Sequence, residues 1–234
     1  MTLPDFSTLE TQLNIHFSNK DLLRQAFTHR SFINENKHLA QDNNERLEFL
    51  GDAVLELVST SFLFQKYPKR HEGELTAFRA ALVNTNTLSQ IATELGFNSY
   101  LLLSKGESKD TGRARLYILA DSFEAVIGAI YLDQGYDAAY SFIEKNLLSL
   151  TEEIVKTGSW IDAKSHLQEK AQEILSITPL YETVHEEGPD HNKYFTVGVK
   201  IKDEIIATGK GKSKQEAEQE AAQKALEKQG WMPL

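Results

Sequence analysis

The sequence predicts a two-part chain, a large all-α region followed by a small α+β module of order α-β-β-β-α. Three observations carry this reading. From Leu9 to Leu150 apolar residues recur at helical spacing, with no convincing strand among them. Thr157-Gly158-Ser159 is then a small-residue break. Beyond it Phe195, Val197 and Val199 alternate with Tyr194, Thr196, Gly198 and Lys200, as a strand with one face on a core should. Residues 1–151 are therefore expected to form the first domain, 152–161 a linker, and 162–230 the second domain. A chain of 234 residues can bury one large core and one small one.

The first two helices fall between Ser7 and Thr28. Leu9, Leu13 and Phe17 pattern one, Leu22, Leu23, Ala26 and Phe27 the other, and Asn19 caps the second. Residues 34–44 are polar and read as a loop. A long helix follows on Leu47, Leu50, Val54, Leu57 and Val58. It runs to about Lys66, because Pro68 pushes Tyr67 out of helical geometry. The next helix carries Leu75, Phe78, Leu82, Val83 and Leu88 and ends at Gly96-Phe97. Leu101-Leu102-Leu103 reads as a short buried segment, with a loop after it reaching Gly112. Another apolar helix spans Ile118 to Leu132, and Gly135-Tyr136 turns the chain into a last helix from Asp137 to Leu150.

Two of these helices hold acids where acids are costly. Glu45, Glu48 and Asp52 stand at i, i+3 and i+7, so their carboxylates project from roughly one face. Like charges stacked this way repel. A solvated acidic edge is the alternative, but the run is interleaved with apolar residues, and a buried anion needs a compensating cation. No Lys or Arg follows at helical spacing before Lys66, and Arg46 points off the carboxylate face. Asp121 and Glu124 repeat the pattern at i and i+3 on the second apolar helix. Packed antiparallel, the two helices would gather Glu48, Asp52, Asp121 and Glu124 around one divalent ion or a pair. Oxygen-only ligands favour Mg²⁺ or Mn²⁺ over zinc.

The run Glu45-Arg46-Leu47-Glu48-Phe49-Leu50-Gly51-Asp52, together with the Asp121/Glu124 helix, resembles the signature of bacterial ribonuclease III, the endonuclease family specific for double-stranded RNA. Thr28-His29-Arg30-Ser31-Phe32 and Arg79-Ala80-Ala81-Leu82-Val83-Asn84 are similar to further elements of that family. For His29 a capping or core role is preferred to a ligand role. The resemblance implies metal-dependent phosphodiester hydrolysis with Asp52 and Glu124 catalytic, and Glu48, Asp52, Asp121 and Glu124 as metal ligands. It adds Glu45 and Glu72 as second-tier acids. It also implies a homodimer with Phe49 in the interface, a simple core phenylalanine being the alternative. Its products would carry 5′-phosphate and 3′-hydroxyl ends, in the processing of structured precursors of ribosomal and messenger RNA.

The second domain begins with a helix on Ala163, Leu167, Ala171 and Ile174, ending before Pro179. Tyr181 and Thr183 open a half-buried strand, Phe195 to Val199 form the next, and Ile205 and Ala207 lie in a third that ends at Gly209. Ser213, with Glu216 three residues on, starts the last helix as a capping box, and Ala217, Ala221, Ala222, Ala225 and Leu226 face inward. This tail resembles a double-stranded RNA-binding domain. Duplex RNA hides its base edges, so such modules read phosphates and 2′-hydroxyls. The matching residues are Gln168 and Glu169 in the first helix, His191 in the Gly188-Pro189-Asp190-His191 loop, and Lys210, Lys212, Ser213 and Lys214 at the last helix. A helix N-terminus adds to the attraction of lysines for phosphate. Gln215 departs from the family pattern, and Gln219 and Glu220 follow on the same helix, so modest affinity is expected.

Composition narrows the rest. Net charge is -9, which argues against a nucleic-acid partner unless acids held for metal account for part of it. There are no cysteines, which excludes disulfides and thiolate metal sites and suits a reducing cytoplasm. The N-terminus shows no signal-peptide pattern, and no stretch approaches the length of a membrane span. The expected partner is double-stranded RNA, with no membrane and no small-molecule substrate. A non-enzymatic RNA-binding protein of the same fold is the rival reading, and it would need a broken acidic cluster.

Overall fold

The structure is a computed structural model that describes residues 3–37, 39, 42–158, 160, 162–189 and 193–231. It divides into two compact units, Met1–Trp160 and Ile161–Leu234.

In the first unit the described elements are helical. The order is α1 (Phe6–Leu13), α2 (Lys20–Ala26), α3 (Arg30–Glu35), α4 (Glu45–Lys66), α5 (Glu72–Leu82), α6 (Thr85–Glu94), α7 (Arg113–Gln134), α8 (Tyr136–Asn146) and α9 (Thr151–Thr157). Local chemistry sets these starts. Asp5 caps α1 by accepting from the Ser7 amide, and Asn19 caps α2 by accepting from Asp21. His29 caps α3, its Nδ1 taking the Ser31 amide at 3.3 Å and lying 2.8 Å from the Ser31 hydroxyl. That is the capping role preferred from the sequence.

α7 is the centre of this unit. Every residue from Ile118 to Ile130 except Asp121 and Glu124 is buried, as befits a helix that is apolar all round. α4 packs along it and turns Leu47, Val54, Leu55, Val58 and Leu63 to the same core. Leu57, read from spacing as a core position of α4, is instead more than half exposed. Leu102 bridges to Thr28 beneath this bundle, the buried segment expected there.

Boundaries differ from the sequence reading at several places. The helix expected from Leu75 through Leu88 is two helices, α5 and α6. Asn84 breaks it, its Oδ1 accepting the Thr87 amide at 3.1 Å as the cap of α6; short polar side chains compete with the helix for backbone groups in this way. Asn34 and Glu35 belong to α3 rather than to a loop. The expected linker 152–161 begins as helix α9, and Ile154, Val155 and Trp160 pack on the first core, Trp160 edge-on to Phe78 at 4.7 Å.

The second unit runs α10 (Ala163–Leu175), β1 (Leu180–Glu187), β2 (Tyr194–Ile201), β3 (Glu204–Gly211) and α11 (Lys214–Gln229). The strands form an antiparallel meander in the order β1-β2-β3, with irregularities after Thr183 and after Val199. Val199 and Ile201 meet Leu167, Ala171, Ala221, Ala222, Ala225 and Leu226 in a small core. The alanines of α11 are fully buried. A Cβ on Gly209 would overlap the backbone of Ala217 and Ala221, so β3 and α11 touch main chain to main chain. The irregularity after Val199 shifts the face of β3. Ile206 and Ala207 pack on the core while Ile205, placed with Ala207 in this strand, is exposed. Ile174, read as inward, stands exposed near the end of α10.

Candidate functional site

The acidic site is built by a helix crossing. A Cβ on Gly51 would overlap the carbonyl of Glu124, and one on Gly128 would overlap that of Leu47. The pairs 51 with 124 and 47 with 128 show that α4 and α7 run past each other in opposite directions. They do so at backbone contact, which brings the acids flanking Gly51 up to those flanking Glu124. Glycine inside a helix costs about 1 kcal/mol relative to alanine, so two such glycines in core helices already signal a close approach. The sequence reading passed over both.

At this crossing Glu48, Asp121 and Glu124 each offer a carboxylate oxygen, and the three lie within 4.8 Å of one another. All three are half-buried. Burial pushes the Asp121 carboxyl up. Burial and then the charges of Asp121, Glu45 and Asp52 do the same to Glu48. Glu124 is pushed furthest, to about 8, by burial and then by Asp52, Asp121, Glu48 and Glu56. None of these carboxylates forms an ion pair with a lysine or arginine among the described residues.

The remaining predicted acids are arranged around this trio. Asp52 is exposed at its rim, close enough to raise Glu124 but outside the converging set. Glu45 lies in the first turn of α4, exposed and 3.6 Å from Arg30 Nη1. Glu72 starts α5, accepts the Thr76 hydroxyl at 3.2 Å and lines a cavity of about 430 Å³ with Thr60, Phe64, Arg70 and Arg79. It is not among the acids that raise Glu124. Glu56, which the sequence reading missed, continues the α4 acidic face and is held by Arg79 Nη1 at 3.0 Å. The signal was its spacing of four from Asp52. Phe49 is 81% exposed, which removes the core alternative for it.

On the second unit Gln168 and Glu169 stand exposed on α10. His191 lies outside the described residues. Lys210, Lys212 and Lys214 are exposed at the end of β3 and the start of α11. Ser213 is the cap of α11, its Oγ accepting the Glu216 amide at 3.1 Å. The glutamate of the capping box reaches back to the amide of Lys212 at 2.9 Å, and Glu220 takes the amide of Lys210. The amides of Lys210, Lys212 and Glu216 are thus already satisfied within the chain.

Comparison with known proteins agrees with this geometry. The family model for Ribonuclease-III-like domains matches residues 19–150, and that for the double-stranded RNA binding motif matches 163–229. Ribonuclease 3 of Geobacillus kaustophilus is 48% identical over 225 residues, 95% of this chain and 90% of that protein. Ribonuclease 3 of Bdellovibrio bacteriovorus is 44% identical over 221 residues, 94% of each. Among solved structures, the nuclease domain of ribonuclease III from Campylobacter jejuni superposes with a TM-score of 0.55 at 43% identity, covering 61% of this chain and 98% of that one. With both of its units matched in order, the chain belongs to the ribonuclease III family and is an endoribonuclease with a C-terminal double-stranded RNA binding motif.

Proposed function

We propose that this endoribonuclease hydrolyses double-stranded RNA with the help of a divalent ion, Mg²⁺ or Mn²⁺ in its place, held by Glu48, Asp121 and Glu124 with Asp52 at the rim. One observation carries the reading: three half-buried carboxylates converge within 4.8 Å and no cationic side chain among the described residues pairs with them. The donor set fits such an ion, being all oxygen and in need of positive charge. When bound, the ion supplies an activated water and offsets charge on the phosphate. Glu124 gives up its proton as the site fills. Asp52, reaching solvent, orients the attacking water on the side where substrate arrives. Hydrolysis in this sense leaves 5′-phosphate and 3′-hydroxyl ends.

The second unit positions the duplex through Gln168, Glu169, His191 and the lysines of α11. Phe49, Leu57 and Phe64 form an exposed apolar stripe within one side of α4, and exposed patches of this kind mark protein contacts. The C. jejuni nuclease domain is described as having a region involved in dimer formation. A second copy of this chain is the partner we assign to the stripe, giving two acidic sites, one for each strand. No helix among the described residues is long and apolar enough to cross a membrane. The cysteine-free sequence suits work on structured ribosomal and messenger precursors in the cytoplasm.

Incubating the full chain with end-labelled duplex RNA, with Mg²⁺ or with chelator, tests this directly. Cleavage only with Mg²⁺, to fragments bearing 5′-phosphates, is the expected result. Undiminished cleavage in chelator would show that the reaction proceeds without the ion.

A further inference from the structure

Residues 161–234 carry more acids than lysines and no arginine, which is an unusual balance for a module that grips phosphate. One of those acids stands within the expected RNA-facing surface. Glu186, near the end of β1, reaches two lysines at once. Its Oε1 lies 3.3 Å from Lys214 Nζ and its Oε2 lies 3.2 Å from Lys193 Nζ. Glu186 pairs with Phe195 across the β1–β2 ladder, and the Lys214 ammonium sits 5.6 Å above the Phe195 ring. The lysine is therefore held by both neighbours. Hydrogen bonds from Lys193 and Lys214 hold the Glu186 carboxyl below the usual glutamate range, so it is ionised. The ammonium groups of Lys210 and Lys212, by contrast, form no ion pair among the described residues.

A carboxylate receiving two ammonium groups resembles a backbone phosphate, an anion with two acceptor oxygens. We propose that Glu186 is a built-in competitor for RNA phosphate, occupying Lys193 and Lys214 in the free protein and holding duplex affinity below what those lysines would otherwise give. This inference rests on the reading that the Lys214 face meets RNA. Each lysine must leave Glu186, or share itself, as phosphate arrives. The gain from that contact is then only the difference between two ion pairs. A different role for the same carboxylate, holding the lysines in place for RNA, predicts a change of opposite sign.

The test uses the full chain in chelator, so that binding is read without cleavage. The probe is an RNA duplex of about 20 base pairs, longer than the roughly 16 such a module spans, followed by fluorescence anisotropy over a range of salt. Glu186→Gln should tighten binding about two- to fivefold, the scale of an exposed ion pair. It should also steepen the dependence of log affinity on log salt by about 0.9 as Lys214 is released to phosphate. Glu186→Asp, too short to reach both lysines, should give a smaller gain. Glu204→Gln makes the same charge change where β3 begins, at the other end of the sheet, and should gain less than Glu186→Gln. In Glu186→Gln/Lys214→Ala most of the gain should vanish. Unchanged or weaker binding by Glu186→Gln, with an unchanged melting temperature, would overturn the proposal while leaving the RNA-facing reading intact. Full affinity in Lys214→Ala would remove that reading and the proposal with it.

Discussion

The two units treat their functional charges in opposite ways. At the crossing of α4 and α7, Glu48, Asp121 and Glu124 converge half-buried without a cation. On the second unit Lys214 is exposed and already paired to Glu186, and the amides of Lys210 and Lys212 are taken by Glu220 and Glu216. Concentrated, uncompensated charge in a partly buried place is unstable alone and therefore calls for a ligand of opposite sign. Compensated charge at the surface changes partners with little net energy. The first arrangement should bind its ion strongly and specifically. The second should bind RNA modestly, with a salt dependence shallower than its lysines alone would give.

The largest effect is expected at the acidic site. Glu124→Gln should reduce duplex cleavage more than about 100-fold, beyond what loss of a residue behind the ligands costs a metal site. Its duplex affinity in chelator should stay near that of wild type. Parallel cleavage and anisotropy assays check both; equal losses in the two would show that Glu124 serves binding rather than chemistry.

The next effect tests how the acids are brought together. Gly128→Ala puts a methyl group into the backbone of Leu47, and overpacking of this kind costs about 1–3 kcal/mol. Forced apart, α4 and α7 should also lose the upward shift in melting temperature expected of wild type with Mg²⁺. Thermal melts with and without Mg²⁺ separate the two effects. A variant that is destabilised yet keeps the full metal shift would show that the site tolerates a wider crossing.

A pH effect follows from the same crowding. In the metal-free protein Glu124 holds its proton up to about pH 8, whereas its ordinary value is 4.5. Between those limits the folded state binds more protons than the unfolded chain, so this group's contribution to stability is present at acid pH and is lost as pH rises. The melting temperature of Glu124→Gln relative to wild type, both in chelator, should therefore climb from about pH 5 to pH 8. A flat difference would mean that the carboxylates are better solvated than their burial implies.

The smallest effect belongs to the compensated side. Lys214→Ala should weaken duplex binding by about 1 kcal/mol or less and flatten its salt dependence. Anisotropy titrations at two salt concentrations suffice. A loss as large as that of a catalytic ligand would make this lysine a central anchor and erase the contrast.

Much of this was legible in the sequence, for different reasons in the two units. The α4 and α7 acids were visible because a carboxylate among core residues violates the apolar pattern. The order of the tail was visible because Phe195, Val197 and Val199 alternate cleanly. What escaped depends mostly on contacts between distant segments, and in one place on a local cap. The sequence spacing treated Leu57 as core, yet it lies on the outer side of α4, and Ile205 is turned out by the irregularity after Val199. Asn84 looked like part of one helix because its capping bond to Thr87 is a local choice that periodicity does not register. Asp52 reads as equal to Glu48 by spacing, but at the crossing Glu48 turns into the cluster and Asp52 to its rim. The Glu186 pairing joins a strand, a loop and a helix start, which no local pattern contains.

Titration with Mn²⁺ asks whether the trio at the α4–α7 crossing holds a divalent metal. Mn²⁺ is paramagnetic, so the free ion is counted by electron paramagnetic resonance as metal is added to the full chain without RNA. Binding should be saturable at neutral pH, displaced by Mg²⁺, weakened on acidification as Glu124 keeps its proton, and sharply reduced in Asp121→Asn. Mn²⁺ binding that is absent, or that is identical in wild type and Asp121→Asn, would contradict a metal site at the crossing.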